Sequence, residues 1–231
     1  MQKTHILGIF DKDLNLLREE VQRLAEQTKD ELERAMQALL NDDRELAQEV
    51  VASDVTADQL QQKINRHMNI VLTRQHAMAD DLREILAAGR IAAHLERMAD
   101  YAKNTARRTQ TLSRKVDEEI GAQFSWMNER VVAMLHQVMS AYQGRDHSEA
   151  NVAWSSDIEL DRVYGKLFAH LLLQMQQDPD LIWDAAQLLF IAKGLERAGD
   201  HVTDIAEEVY MMVTGAPLQG PRPRVDTIAP E

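Results

Sequence analysis

The chain has no cysteine, and no proline before residue 179. The first absence removes disulfides, thiolate metal sites and a cysteine nucleophile, and fits a reducing, cytoplasmic setting. The second leaves 178 residues without an obligatory helix breaker. Aromatic residues make up 5% of the chain and glycines number nine, too few for a fold of short strands and tight turns. The N-terminus lacks the long apolar core of a secretion signal, and no 18-residue apolar run follows, so direct membrane insertion is not expected. Basic residues are the minority: 26 Lys and Arg against 38 Asp and Glu leave a net charge of −12. That balance disfavours nucleic acid and anionic membrane surfaces as partners, and suits divalent cations or basic protein surfaces.

What is present is helical periodicity. Apolar residues return at steps of three and four almost throughout; in the first segment Phe10, Leu14, Leu17, Val21, Leu24, Leu32, Met36 and Leu39 make one stripe. The pattern predicts six long helices over about 11–41, 43–75, 78–114, 120–143, 146–177 and 179–214. Asn41-Asp42-Asp43 and Gly144-Arg145-Asp146 mark breaks. Asp178-Pro179-Asp180 sets Pro at the first position of the last helix, where its missing N–H costs nothing, and Gly215 closes that helix. Residues 216–231 carry four prolines and little apolar surface, and read as a disordered tail. The expected fold is all-α: two tandem antiparallel three-helix bundles, over 1–115 and 116–215, related by an internal repeat.

The repeat is explicit. Leu95-Glu96-Arg97-Met98-Ala99-Asp100 is matched one hundred positions on by Leu195-Glu196-Arg197-Ala198-Gly199-Asp200, and residues 91–108 align with 191–208 without a gap, sharing seven identities. Glu96/Asp100 and Glu196/Asp200 each put two carboxylates one turn apart on one helix face, a spacing that destabilises an isolated helix. Each half also holds an earlier pair, Asp54/Asp58 and Asp157/Asp161. The two pairs of the first half are centred on residue 77, those of the second on the Asp178-Pro179 turn. Residues equidistant from a hairpin turn lie level on antiparallel helices, so each hairpin sets Asp-x-x-x-Asp opposite Glu-x-x-x-Asp. Four converging carboxylates repel one another unless protonated, solvated or bound to a cation, and an all-oxygen set suits magnesium, calcium, manganese or iron. Asn104 and Asp204, one turn further along the same face, are candidate auxiliary ligands. His201 abuts Asp200, but Tyr101 replaces it in the first copy. Arg97 and Arg197 read as salt-bridge residues, and Ala99 and Gly199 as small residues permitting close helix approach.

Three functions compete. A non-enzymatic, metal-binding adaptor leads, its regulatory role being what the family resemblance given next implies. A carboxylate-bridged metalloenzyme is disfavoured because none of the eight histidines follows a glutamate by three positions, as ferritin-like sites require. A structural scaffold with solvated acidic faces is the third, and for any single acidic pair it is the ordinary reading.

The two hexads resemble the PhoU family, the accessory proteins of phosphate-specific transport systems. That family is marked by a doubled Glu-Arg-Ile-Gly-Asp core followed by small residues, Asn, Ile, Ala and Glu. Here the second copy runs Glu196-Arg197-Ala198-Gly199-Asp200 to Asp204-Ile205-Ala206-Glu207, and the first Glu96-Arg97-Met98-Ala99-Asp100 to Asn104-Thr105-Ala106-Arg107. Met78-Ala79 with Asp81-Leu82-Arg83, and Phe10-Asp11 with Leu14, also match family segments. The chain departs from the pattern at Ala77, usually Pro, at Met98-Ala99, at Arg107 in place of Glu and at Asp204 in place of Asn. The resemblance, over about residues 5–215, implies two three-helix bundles and acidic motifs acting as ligands of metal clusters. It further implies negative control of phosphate uptake, through a phosphate ABC transporter and a sensor histidine kinase, and a homodimer.

Overall fold

The computed structural model describes residues 2–74 and 79–219. Among the described residues seven α-helices follow in order: α1 Gln2–Asn41, α2 Arg44–Arg74, α3 Ala79–Thr109, α4 Glu118–Gly144, α5 His147–Trp154, α6 Ile158–Gln177 and, after a 3₁₀ turn at Pro179–Leu181, α7 Ile182–Thr214. α1, α2 and α3 pack on one another as the first bundle, and α4 to α7 as the second. The bundles meet mainly along α3 and α7, with α1 against α4 beside them, and their buried apolar residues form one continuous cluster. The expected tail falls largely on residues 220–231, and the first hairpin turn, with Ala77, on 75–78; both lie outside the described residues, as do the side chains of Phe10 and Asp11.

Caps set the helix ends. Asp117 starts α4 by accepting from the Ile120 N–H at 2.9 Å, and Asp146 starts α5 by accepting from Ser148 and Glu149. Gly215, at φ 73, closes α7 in the left-handed conformation expected of a glycine there. Arg145 takes the same conformation after α4, at φ 51.

Three helix expectations are corrected. The first helix starts well before residue 11, at Gln2. The third ends at Thr109, not 114: although Leu112 prolongs the apolar pattern, the chain beyond Thr109 is captured by α7, where Asp184 accepts from the Ser113 N–H and hydroxyl. The helix expected over 146–177 breaks at Ser155-Ser156-Asp157. There the Ser155 hydroxyl bonds back to the Asn151 carbonyl and that of Ser156 to Ala153, competing with the helical ladder. Arg130 of α4 then satisfies the Ser156 carbonyl at 2.9 Å.

One buried acid ties the bundles together. Glu84 of α3, 1% exposed, accepts from Arg18 of α1 through one oxygen and from Arg145 through the other.

Candidate metal centres on the facing helices

In the first bundle, α2 presents Asp54 and Asp58 to Glu96 and Asp100 of α3. Asp54 is buried, Asp58, Glu96 and Asp100 are half-buried, and Asn104 is exposed. Burial raises the Glu96 pKa above the usual carboxylate range, and repulsion from Asp100, Asp58 and Asp54 adds to the effect, so all four expected ligands lie within charge–charge reach. The sequence reading missed two members of this group. Lys103, one turn past Asp100, places its ammonium 2.7 Å from Asp54 Oδ2 and 2.5 Å from Asp100 Oδ1. Burial opposes that charge, but the two carboxylate bonds outweigh it and raise the Lys103 pKa. Glu31 of α1 is fully buried; its Oε1 accepts from Gln27 at 2.7 Å and from Ser53 at 3.4 Å, while its Oε2 has no hydrogen-bond partner among the described residues. Burial raises its pKa and Asp54 raises it further, against the Gln27 bond. Next to it, Thr28 donates to the Leu95 carbonyl at 3.1 Å and locks α1 to α3 beside the hexad.

The second bundle arranges the matching pairs without that lysine; Thr203 stands at the repeat position of Lys103 and donates to the Asp200 carbonyl. α6 and α7 approach so closely that a Cβ on Gly199 would meet Leu160 Cδ2 at 2.3 Å. Asp157 and Asp161 flank Leu160 as Glu196 and Asp200 flank Gly199, so the pairs sit level to within about a turn. Asp157, 2% exposed, occupies the position before α6 without capping it through its side chain. Lys193 reaches Glu196 from the outer side, at 2.6 Å.

Each half carries hard oxygen donors on neighbouring helices, but among the described residues neither set brings three ligand atoms within 4.8 Å of one another. In the first, the Lys103 ammonium stands between Asp54 and Asp100, the place a bound cation would take; in the second, Lys193 pairs with Glu196. Arg97 and Arg197, expected in salt bridges, are exposed and make no ion pair among the described residues. Asp204, expected beside Asp200 as an auxiliary ligand, turns instead to the seam between the bundles, where its Oδ2 lies 3.5 Å from His94 Nδ1 and 3.3 Å from His201 Nδ1. Burial lowers the His94 pKa below the usual imidazole range, with Asp204 acting the other way. A groove of about 770 Å³ along α1 and α4, lined by Arg18, Gln22, Arg23 and Tyr142, contains none of the expected ligands.

A helical chain built twice from the same hairpin, with the acidic hexad recurring on α3 and α7, is a two-repeat acidic bundle. The family model for the PhoU domain matches residues 21–109 and again 124–209, and the chain belongs to the PhoU family. Its relatives include a phosphate-specific transport system accessory protein PhoU homolog of Rhizobium meliloti, 36% identical over 98% of this chain and 96% of that protein. One of Zymomonas mobilis is 38% identical over 91% and 89%. Among solved structures, PhoU of Pseudomonas aeruginosa superposes with a TM-score of 0.85 at 27% identity, covering 90% of this chain and all of that one. Among the described residues no helix is long and apolar enough to cross a membrane.

Proposed function

We propose that this chain is a non-enzymatic, metal-binding cytoplasmic adaptor that restrains phosphate uptake and phosphate-starvation signalling through contacts with a phosphate ABC transporter and a sensor histidine kinase. The observation that carries the reading is the near full-length similarity to proteins named as accessory proteins of phosphate-specific transport systems. Physical chemistry narrows the mode of action. A protein of net charge −12 is repelled by nucleic acid, and a non-enzymatic bundle would regulate by binding its partners differently in two states. Ile182, Trp183 and Phe190, all exposed on one side of α7, supply apolar surface for a partner or a homodimer.

The metal belongs to this proposal. Asp157, Asp161, Glu196 and Asp200 would hold an iron, manganese or magnesium ion in the second bundle, and Asp54, Asp58, Glu96 and Asp100, with Glu31, in the first. A bound cation supplies positive charge that relieves repulsion across the facing helices.

Deleting the gene tests the regulatory reading. Expression of a phosphate-starvation reporter is expected to stay on in phosphate-rich medium, and the intact gene to silence it again; a deletion strain with normal control overturns the reading. Melting the purified protein with manganese or iron against chelator tests the metal. Saturation at a hundredfold excess over Kd stabilises the fold by about 2.7 kcal/mol per site. No shift with any ion removes the metal and leaves the adaptor.

A further inference from the structure

We infer that the seam between the two bundles is itself a transition-metal site, in which His94 Nδ1, His201 Nδ1 and Asp204 Oδ2 bind one ion of the zinc class. The same three atoms make all three contacts: 3.1 Å between the two imidazole nitrogens, 3.3 Å from His201 to Asp204 and 3.5 Å from His94 to Asp204. Among the described residues this is the only group of His, Asp or Glu offering three ligand atoms within 4.8 Å of one another. A tetrahedral ion with bonds of about 2.0–2.1 Å holds its ligand atoms about 3.3 Å apart, which is the size of this triangle.

The surroundings suit the role. His201 is 9% exposed, and Tyr101 stacks on its ring with centroids 5.8 Å apart and planes 14° from parallel, which fixes the plane in which Nδ1 points. Asp204 is the most exposed of the three, which leaves the fourth coordination position on the solvent side. Without metal, one imidazole must donate to the other; with metal, both Nδ1 lone pairs turn to the ion. Two nitrogens and one oxygen select zinc, cobalt, nickel or copper over magnesium and calcium, so the preference differs from that of the all-oxygen pairs. The repeat positions of His94 and His201 hold Gly194 and Tyr101, so the repeat does not duplicate the site. Because His94 lies on α3 and the other two ligands on α7, the ion clamps one bundle to the other.

The test uses the full chain, stripped with chelator and titrated with Co(II) alone and then with Zn(II). One equivalent of cobalt is expected to give the intense visible bands of a tetrahedral centre, and zinc to displace it. His94→Gln and His201→Gln should each weaken binding by roughly tenfold or more, while Asp54→Asn with Asp58→Asn leaves the spectrum unchanged. A weak octahedral spectrum unaffected by either histidine change overturns the proposal. X-ray absorption at the zinc edge of the unaltered protein covers variants that fail to fold: a shell with two imidazoles supports the site, and oxygen ligands alone refute it. These readouts are independent of the acidic pairs and of phosphate control, so either reading can fail without the other.

Discussion

Arg90 of α3 faces Glu208 of α7 at 3.1 Å, and the repeat-equivalent pair, Phe190 of α7 and Arg108 of α3, meets as a cation over a ring at 4.2 Å. The same exchange of repeats carries the His94–His201 contact onto Gly194 against Tyr101, 3.8 Å from where a Cβ on that glycine would lie. An internal twofold thus runs through the seam, and its two sides have diverged. One side carries an ion pair and paired imidazoles. The other holds a concavity of about 310 Å³ lined by Tyr101, Arg108, Lys193 and Arg197.

The Lys103 ammonium can be removed without altering any carboxylate. Lys103→Thr, which copies Thr203, should lower metal-free stability by about 1–3 kcal/mol, because a half-buried charge network loses its cation. The same change should tighten manganese binding to the first bundle. Calorimetry on the variant checks both arms; weaker metal binding would place Lys103 outside the cation's position.

Glu31 makes the pH argument. Its folded pKa is raised above its unfolded value, so its contribution to stability is present below the unfolded value near 4.5 and is lost as pH rises through the folded one. Glu31→Gln keeps an acceptor for Gln27 and Ser53 and removes the repulsion with Asp54. At pH 7 it should stabilise the metal-free protein by about 1 kcal/mol, raising Tm by about 2–4 °C in a chain of this size. That gain should shrink on acidification toward pH 4.5. Urea denaturation at pH 7 and 5 reads it, and a gain that grows at low pH contradicts the assignment.

Glu84 is a different kind of acid, since both its oxygens have guanidinium partners. Glu84→Gln should cost about 2 kcal/mol, below the usual penalty for breaking a buried pair because Arg18 and Arg145 remain about one-third exposed. A chemical melt showing a loss under about 0.5 kcal/mol would show the contact to be dispensable.

Gly199→Ala tests the close approach of α6 and α7. Alanine favours the helix by about 1 kcal/mol, but the new methyl must displace the buried Leu160, which costs about 1–3 kcal/mol. A net loss of about 1 kcal/mol is expected, with weakened metal stabilisation because Asp157 and Asp161 move away from Glu196 and Asp200. A variant as stable as the parent would mean that Leu160 gives way freely.

The sequence made the helical class and the doubled hairpin legible, because a 3.6-residue stripe and a hundred-residue repeat are local or self-referential signals. It did not show the break at Ser155-Ser156-Asp157, where Trp154 and Leu160 keep the apolar pattern going while hydroxyls take over the backbone acceptors. Glu31 was hidden among 38 acidic residues. Its only trace was its place in the stripe, where Leu24, Thr28, Glu31 and Ala35 follow one another at three- and four-residue steps and all are buried. Lys103 and His94 belong to no motif; their roles come from what α2 and α7 bring opposite them.

α3 carries Glu96, Asp100 and Lys103 toward α2 and His94 and Tyr101 toward α7, all within two and a half turns of one unbroken helix. A rod cannot turn one side and leave the other in place. The acids' face and the imidazole's face therefore keep a fixed angle to each other, and neutralising Asp54 and Asp58 on α2 leaves α3 held by its packing on α1 and α7. One helix thus serves as the common backing of two separate polar sites.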